Sequence, residues 1–491
     1  MTSTIKVDNI QKVSDGSNII KKCGSTITLG SCGQTVAIAT GATTSGMGRT
    51  GTVDWQTGSI KTSTFTAASG EGYFCNTAGG SFEVDLPAGS AGAIVSVQDY
   101  NNTFDSNSLT IDPNGSEKIN GGDAGESIEL NTEGRGVTLV YIDSTIGWRS
   151  VQDNDFTKQG ISYTYTAATG GNTTITCGNF KTHIFTSPGT FSVSSVGTFE
   201  SGKVEYLVVA GGGGGGSSDN PNSSASETGG AGAGGFRSFI CGSPNPLNAP
   251  AGLTVTATGF PITVGGGGAG KTSPPGNTGG CGSASTFSSI TSAGGGGGPT
   301  GFTPSAFNGL AGGSGSGGGA CSPGSPGTTG AGTGNTPPVS PPQGNNGGVG
   351  RHAPGCFASG GGGGGAGAVG VDASGTGGPG VGQGGCGGAG SFIPTAFIGP
   401  TAPSYGEPGP AGRYFAGGGG GGSMFGAAPL GVGGLGGGGD GASGPPGTAR
   451  ASGAGVTNTG GGAGGQGRSS PNAATGAGGS GIVMIRYRFQ A

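Results

Sequence analysis

The chain has 491 residues, of which 126 are glycine, only 9% are charged, and the formal net charge is −4. So faint a field excludes proteins that hold nucleic acid or an anionic membrane surface by bulk charge. Nine cysteines stand singly, as Cys23, Cys32, Cys75, Cys177, Cys241, Cys281, Cys321, Cys356 and Cys386; an odd number without paired spacing reads as free thiols from a reducing cytosol, with no metal or cofactor implied. The opening residues MTSTIKVDNIQ carry no basic-then-apolar pattern, and no apolar run approaches membrane-spanning length. Neither a secretory signal nor an inserted helix is expected.

Residues 1–51 hold three short β strings, NII at 18–20, ITL at 27–29 and VAI at 36–38, separated by glycine. Repeats this short cannot bury themselves alone, so a β stem is expected, wound with identical chains or stacked as a small solenoid. Cys23 and Cys32 fall one repeat apart and read as small buried residues in equivalent positions. Residues 52–153 read as a compact β module of sandwich or barrel type. Its strings are IKTSTFT (60–66), EGYFCNT (71–77), SFEVDLP (81–87), AIVSVQD (93–99), SLTIDP (108–113), SIELN (127–131), GVTLVYI (136–142) and GWRSVQ (147–152), with turn signals such as PAGSAG and DPNGSE between them. Trp55 and Trp148 flank the module, and core packing is expected for both. Residues 154–210 form a second β module that ends in VEYLVVA at 204–210.

Residues 211–479 are a different material. Of the 126 glycines 97 lie from Gly211 onward, with runs at 211–216, 265–268, 294–298, 360–365, 417–422 and 436–439, and the block holds five acidic and six basic residues. A disordered chain is usually kept soluble by charge, so this composition argues for packing. Ordering glycine costs about 1–2 kcal/mol per residue, but the lack of Cβ lets backbones touch. The conformation that uses this is the polyproline II type helix, with three residues per turn and N–H and C=O pointing outward to neighbours. A lattice of packed polyglycine II rods is therefore expected instead of a flexible linker. The irregular spacing breaks the strict triplet that a collagen triple helix needs. Residues 480–491 supply GIVMIRYRF, a closing strand expected to pair with VEYLVVA so that the block leaves one sheet and returns to it.

Few motifs suggest chemistry. Gly265, Gly270, Lys271 and Thr272 satisfy G-x-x-x-x-G-K-[ST] after ITV, but Pro274 and Pro275 follow where a phosphate-binding helix must open, so nucleotide binding is rejected. His183 lies on a strand pattern and reads as half-buried scaffold; His352 reads as exposed loop. Asp105, Asp112 and Glu117 fall in turn sequence and read as solvated carboxylates, not a glycosidase pair. The bulky residues between glycine runs are the better candidates for contact with a partner: Phe302, Phe307, Phe392, Phe397, Tyr405, Arg413, Tyr414 and Phe425. Phe302, Pro304, Ala306, Phe307 and Gly309 are echoed by Phe392, Pro394, Ala396, Phe397 and Gly399, which suggests equivalent places in a layered structure. The bland reading, that the echoed phenylalanines cap rod ends against water, is favoured for that pair.

The blocks GRTGTVDW (48–55), VDLPAGSAGAIVSVQDY (84–100), LTIDPNGSEKING (109–121) and LNTEGRGVTLVYIDSTIGWRS (130–150) resemble a domain of bacteriophage tail fibres and other virion appendages, especially of marine phages. HIFTSPGTFSVSSVGTFESGKVEYLVVAGGGGGG (183–216) and GGSGIVMIRYRF (478–489) resemble glycine-rich domains at the C-terminal end of phage tail proteins and, more loosely, the glycine-rich tip adhesins of T-even-type phages. The resemblance implies a homotrimeric virion protein made in the bacterial host's cytoplasm, joined to other tail or appendage proteins through its N-terminus. The reading is an elongated all-β fibre whose glycine-rich domain binds a host surface polysaccharide or outer-membrane protein without catalysis. A purely structural shaft or decoration protein is the first alternative and a polysaccharide-degrading tailspike the second.

Overall fold

The computed structural model describes residues 9–11, 18–23, 26–29, 53–151, 160, 164–198, 202–218, 226–272, 276–300, 307–321, 327–353, 357–375, 382–399, 405–423, 431–442, 451–467 and 474–490. The chain divides into two compact units, Met1–Ser162 and Tyr163–Ala491. Both are all-β. Among the described residues there is no α-helix; a short 3-10 turn spans Thr395–Phe397, and no helix is long and apolar enough to cross a membrane.

In the first unit, β1 (Asn9–Gln11), β2 (Asn18–Cys23) and β3 (Thr26–Leu29) form a three-stranded antiparallel sheet. The solenoid expectation is corrected here: rungs of a solenoid stack in parallel, whereas Ile20 pairs with Leu29 in an antiparallel hairpin. VAI at 36–38 and Cys32 lie outside the described residues. The next nine strands are β4 (Asp54–Trp55), β5 (Phe65–Thr66), β6 (Glu71–Cys75), β7 (Phe82–Asp85), β8 (Ile94–Asp99), β9 (Leu109–Asp112), β10 (Ile128–Leu130), β11 (Gly136–Asp143) and β12 (Gly147–Ser150). They make two sheets, β10-β9-β7-β5 and β12-β11-β8-β6-β4, neither closed into a barrel. The chain crosses from one sheet to the other at every strand from β4 to β9, so β4, β6 and β8 run parallel in one sheet and β5, β7 and β9 in the other, while β10, β11 and β12 add antiparallel. Turn signals mark where a strand ends; they do not say whether the chain reverses within its sheet or crosses to the other. Between the sheets lie Val84, Val95, Val97, Phe104, Leu109, Ile111, Ile119, Leu139 and Trp148. Trp148 is fully buried and its Nε1 donates to Glu117 Oε2 at 2.9 Å. Trp55 departs from expectation: it is 39% exposed and lies tilted on Phe74, ring centroids 4.9 Å apart.

The second unit opens with β13 (Ala167–Thr169), β14 (Thr173–Cys177), β15 (Phe180–Phe185), β16 (Gly189–Ser195) and β17 (Lys203–Val209). The closing strand Ile482–Arg488 pairs antiparallel with β17 on one side and β15 on the other, with Val209 opposite Ile482. The glycine block therefore leaves one sheet and returns to it. Their central stretches, Tyr206–Val209 and Ile482–Ile485, are apolar because both their faces are covered. Leu207, Val209, Ile482 and Met484 face a cluster with Phe236, Ile393, Phe397 and Phe415, while Tyr206, Val208, Val483 and Ile485 share their face with Phe185 of β15 and meet Phe191, Ile262 and Phe287 of the sheet that holds β13 and β16. The boundary between units falls at 162/163, and residues from Tyr163 of segment 154–210 share these clusters and one compact unit with segments 211–479 and 480–491.

Between the bracketing strands the backbone makes a lattice. In the run 211–216, Gly211 and Gly214 donate to Ser283 and Gly280, Gly212 and Gly215 to Gly479 and Gly476, and Gly213 to Gly232, all at 2.8–3.0 Å. The carbonyls of Gly211 and Gly214 accept from Gly295 and Gly298, that of Gly212 from Gly268, and that of Gly213 from Ala463. Partners change at each residue and recur at every third, the signature of a helix with three residues per turn. This rod thus has six neighbours. Run 360–365 repeats the arrangement: it donates to Gly422 and Gly419, Gly318 and Gly315, Val371 and Ala368, and accepts from Gly385 and Gly388, Gly230 and Ala233, Gly348 and Asn345. No glycine of these two runs has positive φ. A Cβ added at Gly213 would overlap the carbonyl oxygen of Gly296, and one at Gly363 that of Ala231. Only glycine permits this spacing. Each rod residue gains about one hydrogen bond, worth about 1 kcal/mol net, against about 1–2 kcal/mol of backbone ordering. The lattice therefore leans on the two apolar clusters at its base.

Candidate functional site

The rods give the lattice two ends. At the base, Ala210, Ala366, Ala416 and Gly481 meet the sheet cluster. At the other end the rods finish in a collar of buried hydroxyls and amides. Thr228 Oγ1 donates to the Gly216 carbonyl at 3.1 Å and accepts from Gln466 N at 2.7 Å; Gln466 Oε1 accepts from Ser218 N at 2.8 Å. Thr475 Oγ1 donates to Gly215 O at 2.7 Å and accepts from Lys271 N at 2.7 Å. Ser359 and Ser423 form a bridge, as do Thr272 and Ala474, and Ser226–Glu227 pairs with Ala320–Cys321. The Thr228, Gln466 and Thr475 side chains end their rods by supplying partners that a further rod residue would have supplied.

From this collar depart the segments 219–225, 273–275, 301–306, 322–326, 354–356, 376–381, 424–430, 443–450 and 468–473, which lie outside the described residues. Their attachment points are fixed by the lattice and sit together at one end. The sequence reading did not single out the collar, though it carries a signal: Ser217, Ser359 and Ser423 each abut a six-glycine run on the side of the loop.

The named candidates divide between the two ends. Phe307 sits at the loop end, 5% exposed, its carbonyl accepting from Gly319 N at 2.7 Å. Phe397 sits at the base, 1% exposed, under the Arg486 guanidinium at 4.7 Å. The echoed pair thus occupies opposite ends, not equivalent places, and neither ring has surface to offer a partner. Arg413 is also buried, its Nε donating to the Tyr405 carbonyl at 2.8 Å. Phe392 and Tyr414 are half-buried neighbours on the small sheet of Ser391–Ile393 and Gly412–Phe415, ring centroids 5.6 Å apart, and half-buried Tyr405 approaches Thr173 Oγ1 at 3.4 Å. These three are at the base. Phe302 and Phe425 lie outside the described residues.

Other groups weighed in the sequence are structural. Gly268 N and Lys271 N are bonded to Gly212 O and Thr475 Oγ1, so the phosphate-loop look-alike is a lattice rod. His183 is buried; its Nδ1 donates to Gly170 O at 2.7 Å, leaving Nε2 to accept from the Tyr487 hydroxyl at 3.2 Å, and burial holds its pKa below the usual value. His352 lies on the strand Gly350–Ala353 and is half-buried, not in a loop. Cys75 is buried and its thiol is pushed up to about 12 by desolvation; it, Cys177, Cys241, Cys281 and Cys386 are free. Glu117 is no solvated turn residue, since it also accepts from Gly89 N at 2.7 Å. Asp112 faces Asp85 across β7 and β9, and with Glu83 their carboxylates lie within 4.8 Å of one another. Burial, then this crowding, raises the pKa of Glu83 and Asp112. The three are half-buried, and the pairing of β7 with β9 alone accounts for their proximity.

The family described as a glycine-rich domain matches residues 185–488. The chain belongs to this glycine-rich domain family. The match begins in β15, at Phe185, and ends at Arg488, the last residue of the closing strand, so the glycine-rich domain takes in the bracketing strands as well as the rods. No curated protein matches the chain.

Proposed function

We propose that the chain is a virion tail-fibre or appendage protein of a bacteriophage, acting as a homotrimer, whose glycine-rich domain binds a host-surface polysaccharide or outer-membrane protein through the loop end of its lattice, without catalysis. The observation that supports this reading most is the gathering, at one end of a hydrogen-bonded scaffold whose opposite end is anchored in an apolar sheet, of the residues that flank nine inter-rod segments. A rigid support that carries variable segments at one end is how binding loops are commonly displayed. The resemblance of residues 48–55, 84–100, 109–121 and 130–150 to phage fibre modules supplies the biological setting. The half-buried base aromatics Phe392, Tyr405 and Tyr414 take second place to Phe302 and Phe425, which fall in loop-end segments.

The test is adsorption. Replacing residues 301–306 and 424–430 by Gly-Ser segments of equal length should lower host adsorption of virions at least about tenfold, a loss of about 1.4 kcal/mol in binding. Phe392→Ser with Tyr414→Ser at the base should leave it near the parent value. Full adsorption by the loop-replaced virion, with the protein still incorporated, would remove the receptor-binding role.

A further inference from the structure

We propose that one side of the glycine lattice, formed by rods 367–372, 384–390 and 431–435, is a self-association surface held closed by its outward side chains, and that the occupant they exclude is a glycine rod of a second copy of this chain. Rods 367–372, 384–390 and 431–435 adjoin one another on one side of the lattice: Val371 N donates to Cys386 O, Gly387 N to Val432 O and Gly390 N to Leu435 O. Their inward bonds go to interior rods, as Gly385 and Gly388 do to Gly360 and Gly363. A helix with three residues per turn points its remaining rows away from the chain, where another rod could dock in the same register.

Those rows are not left bare. Val369, Val371 and Val432 are 60%, 53% and 54% exposed, and Cys386 is exposed beside them. Inside the lattice, a Cβ at Gly361 or Gly362 would overlap the neighbouring carbonyl of Gly348 or Cys386. The branched Cβ of an outward valine fills the same position relative to its own rod, so a carbonyl of an incoming rod has nowhere to sit. The block's few carboxylates serve the same end. Asp372 Oδ1 accepts from Val349 N at 2.9 Å, Asp440 Oδ1 from Gly433 N at 2.8 Å, and Glu407 Oε2 from Gly436 N and Gly437 N at 2.7 and 2.9 Å. All three acids are exposed, and each occupies backbone donors that an added rod would use. The logic is that of a protected sheet edge, transferred to a lattice of rods.

The opposite reading, an apolar valine patch that docks a partner, predicts the opposite sign. Val→Gly removes apolar area and should weaken any patch-mediated association, yet it removes the plug. The experiment compares the full chain with its Val369→Gly, Val371→Gly, Val432→Gly variant by sedimentation velocity, with amide exchange of residues 211–216 as the check on the interior. The expected result is a mass at least twofold above the parent's, rising with concentration, with interior amides as protected as in the parent. Valine to threonine at the same three positions keeps the branched shape and should hold the parent mass. A triple-glycine variant at parent mass with protected interior amides overturns the proposal, as does a threonine variant that associates equally. If the glycine variant loses interior protection, Asp372→Gly with Asp440→Gly is compared in the same way, and parent mass there is equally fatal.

Discussion

At the scale of single residues, glycine has two meanings in this chain. Gly213 lies in a six-neighbour rod, where an added methyl would run into the Gly296 carbonyl, a backbone atom that cannot swing aside. Gly266 lies in an outer rod with nothing within 4 Å of the added atom. Gly213→Ala is therefore expected to destabilise the second unit by about 1–3 kcal/mol through overpacking, whereas Gly266→Ala should stay within about 0.5 kcal/mol of the parent. Urea unfolding midpoints measure both, and equal effects would contradict close rod packing. The sequence shows the glycines as one population, because composition carries no record of which neighbour stands where the side chain would be. The same blindness separates Trp148, which found Glu117 and the core, from Trp55, which lies on Gly72 and Phe74 at the surface.

At the scale of elements, strand strings were legible and their connections were not. Each of the eight apolar strings between residues 60 and 152 contains a strand, since β-branched alternation is a local property of the chain. Parallel pairing of β4, β6 and β8 is set by which sheet a crossing segment reaches, and nothing local encodes that. The closing strand shows how firmly one element can be fastened. Arg486 pairs with Glu205 of β17, stacks between Phe180 and Phe397 at 4.6 and 4.7 Å, and donates to the Ala396 carbonyl at 3.1 Å, while Glu205 Oε1 accepts from Cys241 N at 2.8 Å. Both charged side chains are 11% exposed. Arg486→Met keeps the stem but leaves Glu205 without its cation, and a loss of about 3 kcal/mol in the second unit is expected. A denaturation midpoint shift near zero would mean the pair is incidental to the bracket.

At the scale of the whole molecule, the two units should answer acid in opposite directions. Glu83 and Asp112 in the first unit have raised pKa values, so below neutrality the native state takes up protons before the unfolded chain does, and their contribution to stability rises as pH falls through those raised values. His183 in the second unit is held neutral by burial. Its lowered pKa means the unfolded chain binds the proton first, so its contribution is lost as pH drops below about 6.5, the unfolded value. Melting from pH 7.5 down to about 3.9, the unfolded Asp value, read against Asp112→Asn and His183→Gln, should show the parent's first unit gaining relative to the first variant. The parent's second unit should lose relative to the other variant. Parallel pH profiles for parent and variants would show that these groups titrate alike in both states.

Composition and pattern by themselves determined the material of each segment: β strings where branched residues alternate, and close backbone packing where glycine is abundant and charge scarce. They also determined the bracket, because the apolar runs Tyr206–Val209 and Ile482–Ile485 require cover on both faces. Only the tertiary structure decided which end of the rods a loop leaves from, which glycines are interior, and that Phe307 and Phe397 lie at opposite ends under cover. Those facts depend on how many rods surround a given rod and in which register, and contacts between segments hundreds of residues apart leave no local trace in the chain.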